Sequence, residues 1–306
     1  MGGAGGTVYE TPDGPRTGAY LAARVARDAV ERRMLELIGP AWILDGPAAA
    51  EELATTLRAA LAERLTELKA PTSALRSKLV RALPTTMALV ALQRTETGGS
   101  TYACHAFWAG DSRAYVLDPE HGVSQLTTDD LRSGGDALHN LTDDSPMSNT
   151  VSADTEFSIR HRQVELAVPF LAVAATDGCF HYVRSPMHFE HLLLSTLLDA
   201  KDPDDWRSAL ETRIAAVTGD DAAMALLGLG ADLDGFRELF AARAAELNER
   251  YVAPLDTLDD EVARAERALA ELRQRRAARK TELWRDYKPG YERLSPAPAP
   301  AGKDTT

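Results

Sequence analysis

Helix-patterned and strand-patterned stretches fall in blocks along this chain, and that order constrains the fold more than any single residue does. Two long helical patterns come first. From Gly18 to Gly39 the apolar residues Ala22, Val25, Ala26, Ala29, Val30, Met34 and Ile38 keep to one broad stripe, and from Glu51 to Lys69 Leu53, Leu57, Leu61, Leu65 and Leu68 repeat the pattern. Pro47 and Pro71 punctuate this second helix. After Pro84 the character changes to short apolar or alternating runs, at Thr86 to Leu92, Tyr102 to Trp108 and Arg113 to Leu117. Gly98-Gly99 and Gly110-Asp111 lie between these runs, where hairpin turns would place them, so an antiparallel meander is predicted. Further strands are expected at Glu156 to Arg160, Phe170 to Ala175 and Ala223 to Leu229. Helices are expected at Phe189 to Leu198 and Trp206 to Val217, between the last two strands. Segregated blocks of this kind favour an α+β layered fold over a doubly wound one.

From Leu233 the pattern turns helical again and stays so to about Tyr287. Leu255, Leu258, Val262, Ala265, Leu269 and Leu272 alternate spacings of three and four, as the seam of a coiled coil does. Fewer than three heptads are covered, so a helical hairpin folded on itself and a helix that meets a partner or a second copy both fit. Thr257 with Asp260 resembles a helix start. The Pro/Ala-rich end from Ser295 cannot build a core and is expected to be disordered. The expected division is a main domain over 1–232, a helical or coiled-coil extension over 233–290 and a tail over 291–306.

The 306 residues carry a formal charge of −12, which argues against nucleic acid as a partner, since phosphate contacts need clustered Lys and Arg. Only Cys104 and Cys179 are present, so neither a disulfide framework nor a four-cysteine zinc site can be built. With no apolar run near the roughly 18 residues that span a bilayer, and neither a basic nor an apolar signal segment at the start, a cytoplasmic chain without membrane contact is expected.

Three acidic turns stand at the boundaries of predicted strands: Gly110-Asp111-Ser112-Arg113, Thr176-Asp177-Gly178 and Gly219-Asp220-Asp221. A single such turn is most simply a turn. Several Asp residues at strand ends, however, have their backbones fixed by a sheet and their carboxylates free to converge, which is how hard cations are held. Two Mg²⁺ or Mn²⁺ ions about 3.5–4 Å apart could clamp phosphoryl oxygens and supply a hydroxide nucleophile, so no side-chain nucleophile would be needed.

The motifs narrow this further. The stretch from Phe107 to Tyr115 resembles the "GDSRxY" strand–turn–strand of type-2C metal-dependent protein phosphatases, the PPM family. Gln125 to Asp130 is similar to that family's "LTxDH", Val173 to Gly178 to its "LATDG", Gly219 to Met224 to its closing "DNxT" or "DDAT" motif, and Pro84 to Leu89 to its "GTT" strand. The motifs occur in family order over roughly residues 1–230. The resemblance implies an α-β-β-α sandwich of antiparallel sheets and hydrolysis of phosphoserine or phosphothreonine in a protein substrate by a metal-bound hydroxide, with two or more Mg²⁺ or Mn²⁺ ions. It implies Asp177 and Asp220 as metal ligands, Asp111 at a further metal site or beside it, and Gly178 as the residue that lets the backbone approach the cluster. Asp221 stands where the family often has Asn and is not counted as a ligand.

The family's first metal motif, Asp-Gly-x-Gly-Gly, would stand before the first long helix, where this chain begins Met1-Gly2-Gly3. That start looks like the end of such a motif with its first strands missing, which would impair metal binding and leave an inactive binding or regulatory module as the alternative. A flexible Gly-rich leader through Gly6 is the plainer reading. Other chemistry finds little support. Gly110 stands where a Cys104-based phosphate loop would need Arg, Cys179 suits packing, and Ser112 lacks the second glycine of a nucleophile elbow. His188 and His191 have no third ligand in their segment, and His181 is a weak candidate for proton transfer to a leaving alcohol.

Overall fold

A computed structural model describes residues 7–38, 43–68, 81–96, 98–133, 135–141 and 145–294. The Met1-Gly2-Gly3 start, the leader through Gly6, Pro71 and the tail from Ser295 lie outside these residues. By contacts the chain divides into two units, one up to Asn248 and one from Glu249.

The first unit opens not with a helix but with a hairpin, β1 (Val8–Thr11) against β2 (Gly14–Thr17). Its turn is Pro12-Asp13-Gly14, and Gly14 takes φ +95°, a left-handed conformation that costs glycine nothing. Helices α1 (Gly18–Ile38) and α2 (Gly46–Glu67) follow, both where the periodicity put them. Asp45 caps α2 by accepting from the Ala48 amide at 3.1 Å, and Pro47 occupies its first turn, where a missing N–H costs nothing.

The strands then form two antiparallel sheets. The first has the order β3 (Met87–Arg94), β4 (Thr101–Ala109), β7 (Arg160–Ala167). The second has the order β6 (Gly122–Gln125), β5 (Arg113–Asp118), β8 (Phe170–Ala175), β9 (Met224–Leu229). The predicted meander is therefore corrected at Gly110-Asp111. β5 does not return along β4 but crosses into the second sheet, and β7 takes the edge of β4 instead, pairing Thr101 with Ala167 through Trp108 with Arg160. The strand expected at Glu156 to Arg160 is also displaced: pairing begins only at Arg160.

Alternation along β4 explains how the layers stack. Cys104 and Ala106 point to one face and join Ala114, Val116, Phe170 and Ala172 of the second sheet in an apolar core. Phe107 and Ala109 point to the other face and join Ala22, Ala26, Leu53, Leu57 and Leu61 of α1 and α2. The outer face of the second sheet is covered by α3 (Pro186–Asp199), where Phe189 lies 5.2 Å from Tyr115, ring to ring. Helix α4 (Pro203–Ala215) braces α3 through Trp206 Nε1 donating to Thr196 Oγ1 at 3.1 Å. Helix α5 (Leu233–Leu247) does so through Arg243 and Glu190 at 2.7 Å. The result is the expected α+β sandwich of helix, sheet, sheet and helix layers.

The second unit is dominated by α6 (Ala253–Tyr291), one helix of 39 residues that follows a five-residue π-helical stretch at Asn248–Val252. Its start differs from the one read at Thr257 and Asp260. Thr257 is already inside the helix, its hydroxyl donating to the Ala253 carbonyl at 2.8 Å.

Candidate functional site

Strand ends gather the acidic turns at one place. β8 and β9 pair in register from Phe170 with Leu229 to Ala175 with Met224, so the Thr176–Gly178 turn and the Gly219–Ala223 loop leave the sheet side by side. They are also clamped: the Thr176 amide donates to the Ala223 carbonyl at 3.0 Å, the Ala223 amide to Thr176 Oγ1 at 2.9 Å, and Cys179 Sγ to the Ala223 carbonyl at 3.3 Å. Gly178 fits because it has no side chain. A Cβ there would stand 2.4 Å from the Asp221 carbonyl oxygen.

The Asp111 turn joins them from β5, which pairs with β8 from Arg113–Ala175 onward. Gly110 takes φ +92° and lies against Thr86, whose side chain a Cβ would meet at 2.3 Å, so "GTT"-like and "GDSR"-like segments are in direct contact. Ser112 Oγ and Thr86 Oγ1 complete this contact at 2.8 Å.

The electrostatics follow from this convergence. Burial pushes the Asp111 carboxyl up to about 7, and the neighbouring Asp177 charge adds to the effect. Burial likewise raises Asp177, with Asp220 the next cause, while His181 acts in the opposite direction. Asp177 thus lies in the field of Asp220, and Asp111 in the field of Asp177. Asp177 Oδ1 is buried and has no hydrogen-bond partner among the described residues. Among the described residues, no group of three or more His, Cys, Asp or Glu side chains is close enough to form a finished metal cage.

Two residues given no role on the sequence hold this arrangement in place. Asp129 accepts two hydrogen bonds from Arg113, at 2.8 and 2.6 Å, with both side chains almost wholly buried. Arg113 also lies over the Phe180 ring at 4.4 Å, so it is committed to the scaffold. Asp130 accepts from the Gly110 amide at 3.1 Å, from Asn149 Nδ2 at 2.7 Å and from Arg160 Nε. The "LTxDH"-like segment is therefore the brace of the "GDSR"-like turn. Its Asp-Asp pair was the available signal, since adjacent carboxylates after a strand need cationic or amide partners if they are buried.

The residues set aside on the sequence take ordinary structural roles. Burial raises the thiols of Cys104 and Cys179 to about 11, which makes them poor nucleophiles at neutral pH. His188 serves the start of α3, with its Nδ1 2.8 Å from the capping Ser185 hydroxyl.

Comparison with known proteins adds the family. The family model described as protein phosphatase 2C matches residues 11–226, more than two thirds of the chain. No curated protein matches. Among solved structures, the chain is similar to a Caenorhabditis elegans sex-determining protein at 13% identity and a TM-score of 0.51, over 73% of this chain and 56% of that one. It is also similar to the Mycobacterium tuberculosis serine/threonine phosphatase PstP/Ppp, at 15% identity and a TM-score of 0.48 over 70% and 83%. A structure of the PstP catalytic domain with two manganese ions matches at 15% and 0.44, over 66% and 79%.

Proposed function

Since the chain belongs to the protein phosphatase 2C family, we propose that it is a divalent-cation-dependent phosphatase acting on phosphoserine or phosphothreonine in protein substrates. Asp177 and Asp220 would hold Mg²⁺ or Mn²⁺, and Asp111 would complete the site or serve a further ion beside it. The observation that carries this reading is the Asp177 carboxylate. It is flanked by two others, and one of its oxygens is buried without a donor among the described residues. A buried acceptor in a cluster of like charge is costly unless a cation completes it. When bound, such ions supply charge that offsets the phosphoryl oxygens and lowers the pKa of a coordinated water.

The chain's own contribution is preorganisation. Gly178 lets the Asp221 carbonyl come close behind the Asp177 turn, and the Thr176–Ala223 clamp fixes the separation of Asp177 and Asp220. Asp129 and Asp130 hold the Asp111 turn from behind. The substrate phosphate would approach over these turns, on the side where the carboxylates face one another.

One observation favours a second reading. With its carboxyl raised to about 7 by burial, Asp111 has to release a proton to take a cation, which weakens recruitment of one as pH falls. A binding or regulatory module that engages phosphoproteins without hydrolysing them is therefore the alternative. Hydrolysis of p-nitrophenyl phosphate and of a phosphothreonine peptide with Mn²⁺ decides between them. The proposal expects activity that falls by two orders of magnitude or more in Asp177→Asn and Asp220→Asn. Activity indifferent to both substitutions overturns the metal assignment. Binding of the phosphopeptide without turnover establishes the module.

A further inference from the structure

The seam of α6 lies along one uninterrupted helix in which no side chain is buried, so it does not fold back on itself as a hairpin. Leu258, Val262, Leu269 and Leu272 are each about half exposed, at 56, 57, 45 and 54%. In the heptad frame they set, Leu255, Val262 and Leu269 take one core position and Leu258, Ala265 and Leu272 the other. The same frame next places Arg276 and Arg279 in the core, where the apolar run ends. Charge is segregated around this seam. Asp256, Asp259, Asp260 and Glu261 lie towards its start, and Arg273, Arg275, Arg276, Arg279 and Lys280 towards its end.

We propose that this face is covered by α6 of a second copy of the chain, running antiparallel. Charge decides both the orientation and the register. Side by side in parallel, the flanking positions would set Glu261 against the partner's Glu266 and Arg275 against the partner's Lys280, while Arg276 and Arg279 met their own copies inside the seam. Turned antiparallel, with Val262 on the partner's Leu272 and Ala265 on the partner's Leu269, the same positions bring Asp259 to the partner's Arg273 and Glu261 to the partner's Arg275. Leu255 and Leu258 then lie under the aliphatic stems of the partner's Arg279 and Arg276, whose guanidinium heads reach solvent. One like-charge contact remains, Glu266 with its own copy at the two-fold axis. The fully apolar antiparallel register, with Leu255 on the partner's Leu272, forms none of these complementary pairs and sets Asp259 against the partner's Glu266 on both sides of the axis. Each flanking pair shifts the dimerisation constant by roughly two- to fivefold.

Sedimentation velocity on the full chain at micromolar concentration is the first test, and a dimer that weakens as salt is raised is expected. The double substitution Asp259→Arg, Glu261→Arg should weaken it by roughly tenfold or more, and adding Arg273→Glu and Arg275→Glu should restore it. Orientation is read by oxidation of single-cysteine variants, since the native Cys104 and Cys179 are buried. Chains carrying Leu258→Cys mixed with chains carrying Arg276→Cys should give the mixed disulfide, and neither variant alone should cross-link. A monomer throughout, a dimer unaffected by Leu269→Lys with Leu272→Lys, or self-cross-linking of Leu258→Cys would each overturn the proposal. All of these positions are exposed, so far-UV circular dichroism of each variant should match the parent. None of the outcomes depends on phosphatase activity.

Discussion

Gly178→Ala is the substitution that most directly probes how the site is held. The residue sits in a single 3-10 turn, Asp177–Cys179, with no positive φ, so alanine meets no conformational barrier there. The obstacle is steric and lies in the backbone. The added methyl would stand 2.4 Å from the Asp221 carbonyl oxygen, 2.9 Å from its carbon and 3.1 Å from the Ala222 Cα. Ordinary contact needs about 1 Å more, and no flexible side-chain end is available to yield. The two loops must therefore part. Parting them strains the three hydrogen bonds that converge on Thr176 and Ala223. Overpacking alone costs about 1–3 kcal/mol, and a weakened buried hydrogen bond adds about 1 kcal/mol. In a unit of this size that lowers the melting temperature by roughly 4–12 °C. Divalent-cation affinity should fall with it, because the parted loops are the ones that carry Asp177 and Asp220. Differential scanning fluorimetry with and without Mn²⁺ reads both effects, and Gly290→Ala, where a Cβ meets nothing within 4 Å, is the control. A Gly178→Ala protein that melts with the parent and gains the same stabilisation from Mn²⁺ would show that the close approach does not govern the site.

Three further outcomes are expected. Asp177→Asn should leave the metal-free melting temperature unchanged or raised, because it removes a charge held next to Asp220 and Asp111, while abolishing the stabilisation by Mn²⁺; scanning fluorimetry separates these two effects. His105 and His161, in contact at 3.1 Å between β4 and β7, are both held below the usual histidine value by burial, so they fold neutral. Their contribution is complete above the ordinary value of 6.5 and is lost as pH falls through the lowered one, so urea unfolding of His161→Gln should show a smaller loss than the parent between pH 7.5 and 5. Arg243→Leu would strand the Glu190 carboxylate, whose side chain is 7% exposed, and should destabilise the unit by about 3 kcal/mol in the same assay.

What the sequence made legible and what it hid divide along physical lines. Helices α1 and α2 were readable because each buries one stripe, and β8 because a strand covered on both faces is apolar throughout. Edge strand β7 was displaced for the opposite reason. Its residues are all exposed or half-buried, Arg160 to Ala167 offers no apolar run, and the apolar Phe157 and Ile159 just before it are buried in the helix-side core without pairing as part of that strand. The crossing at Gly110-Asp111 could not be told from a hairpin, since both need a glycine in a left-handed conformation followed by a polar residue. What distinguishes them is Thr86 packed under Gly110, a contact between residues far apart in the chain.

The same division runs through the site. Asp111, Asp177 and Asp220 stand out in the sequence because each lies at a strand boundary, Asp111 after β4, Asp177 after β8 and Asp220 before β9. Asp129 and Asp130 were not assigned roles, because a buried carboxylate acquires its meaning from Arg113, Asn149 and Arg160, which the sequence does not place beside it. This gives the two kinds of acidic residue opposite consequences on substitution. Asp129 and Asp130 are matched by donors, so removing either leaves a buried cation or amide unpaired and should cost stability first. Asp177 is matched by other carboxylates, so removing its charge should cost stability little and metal binding much.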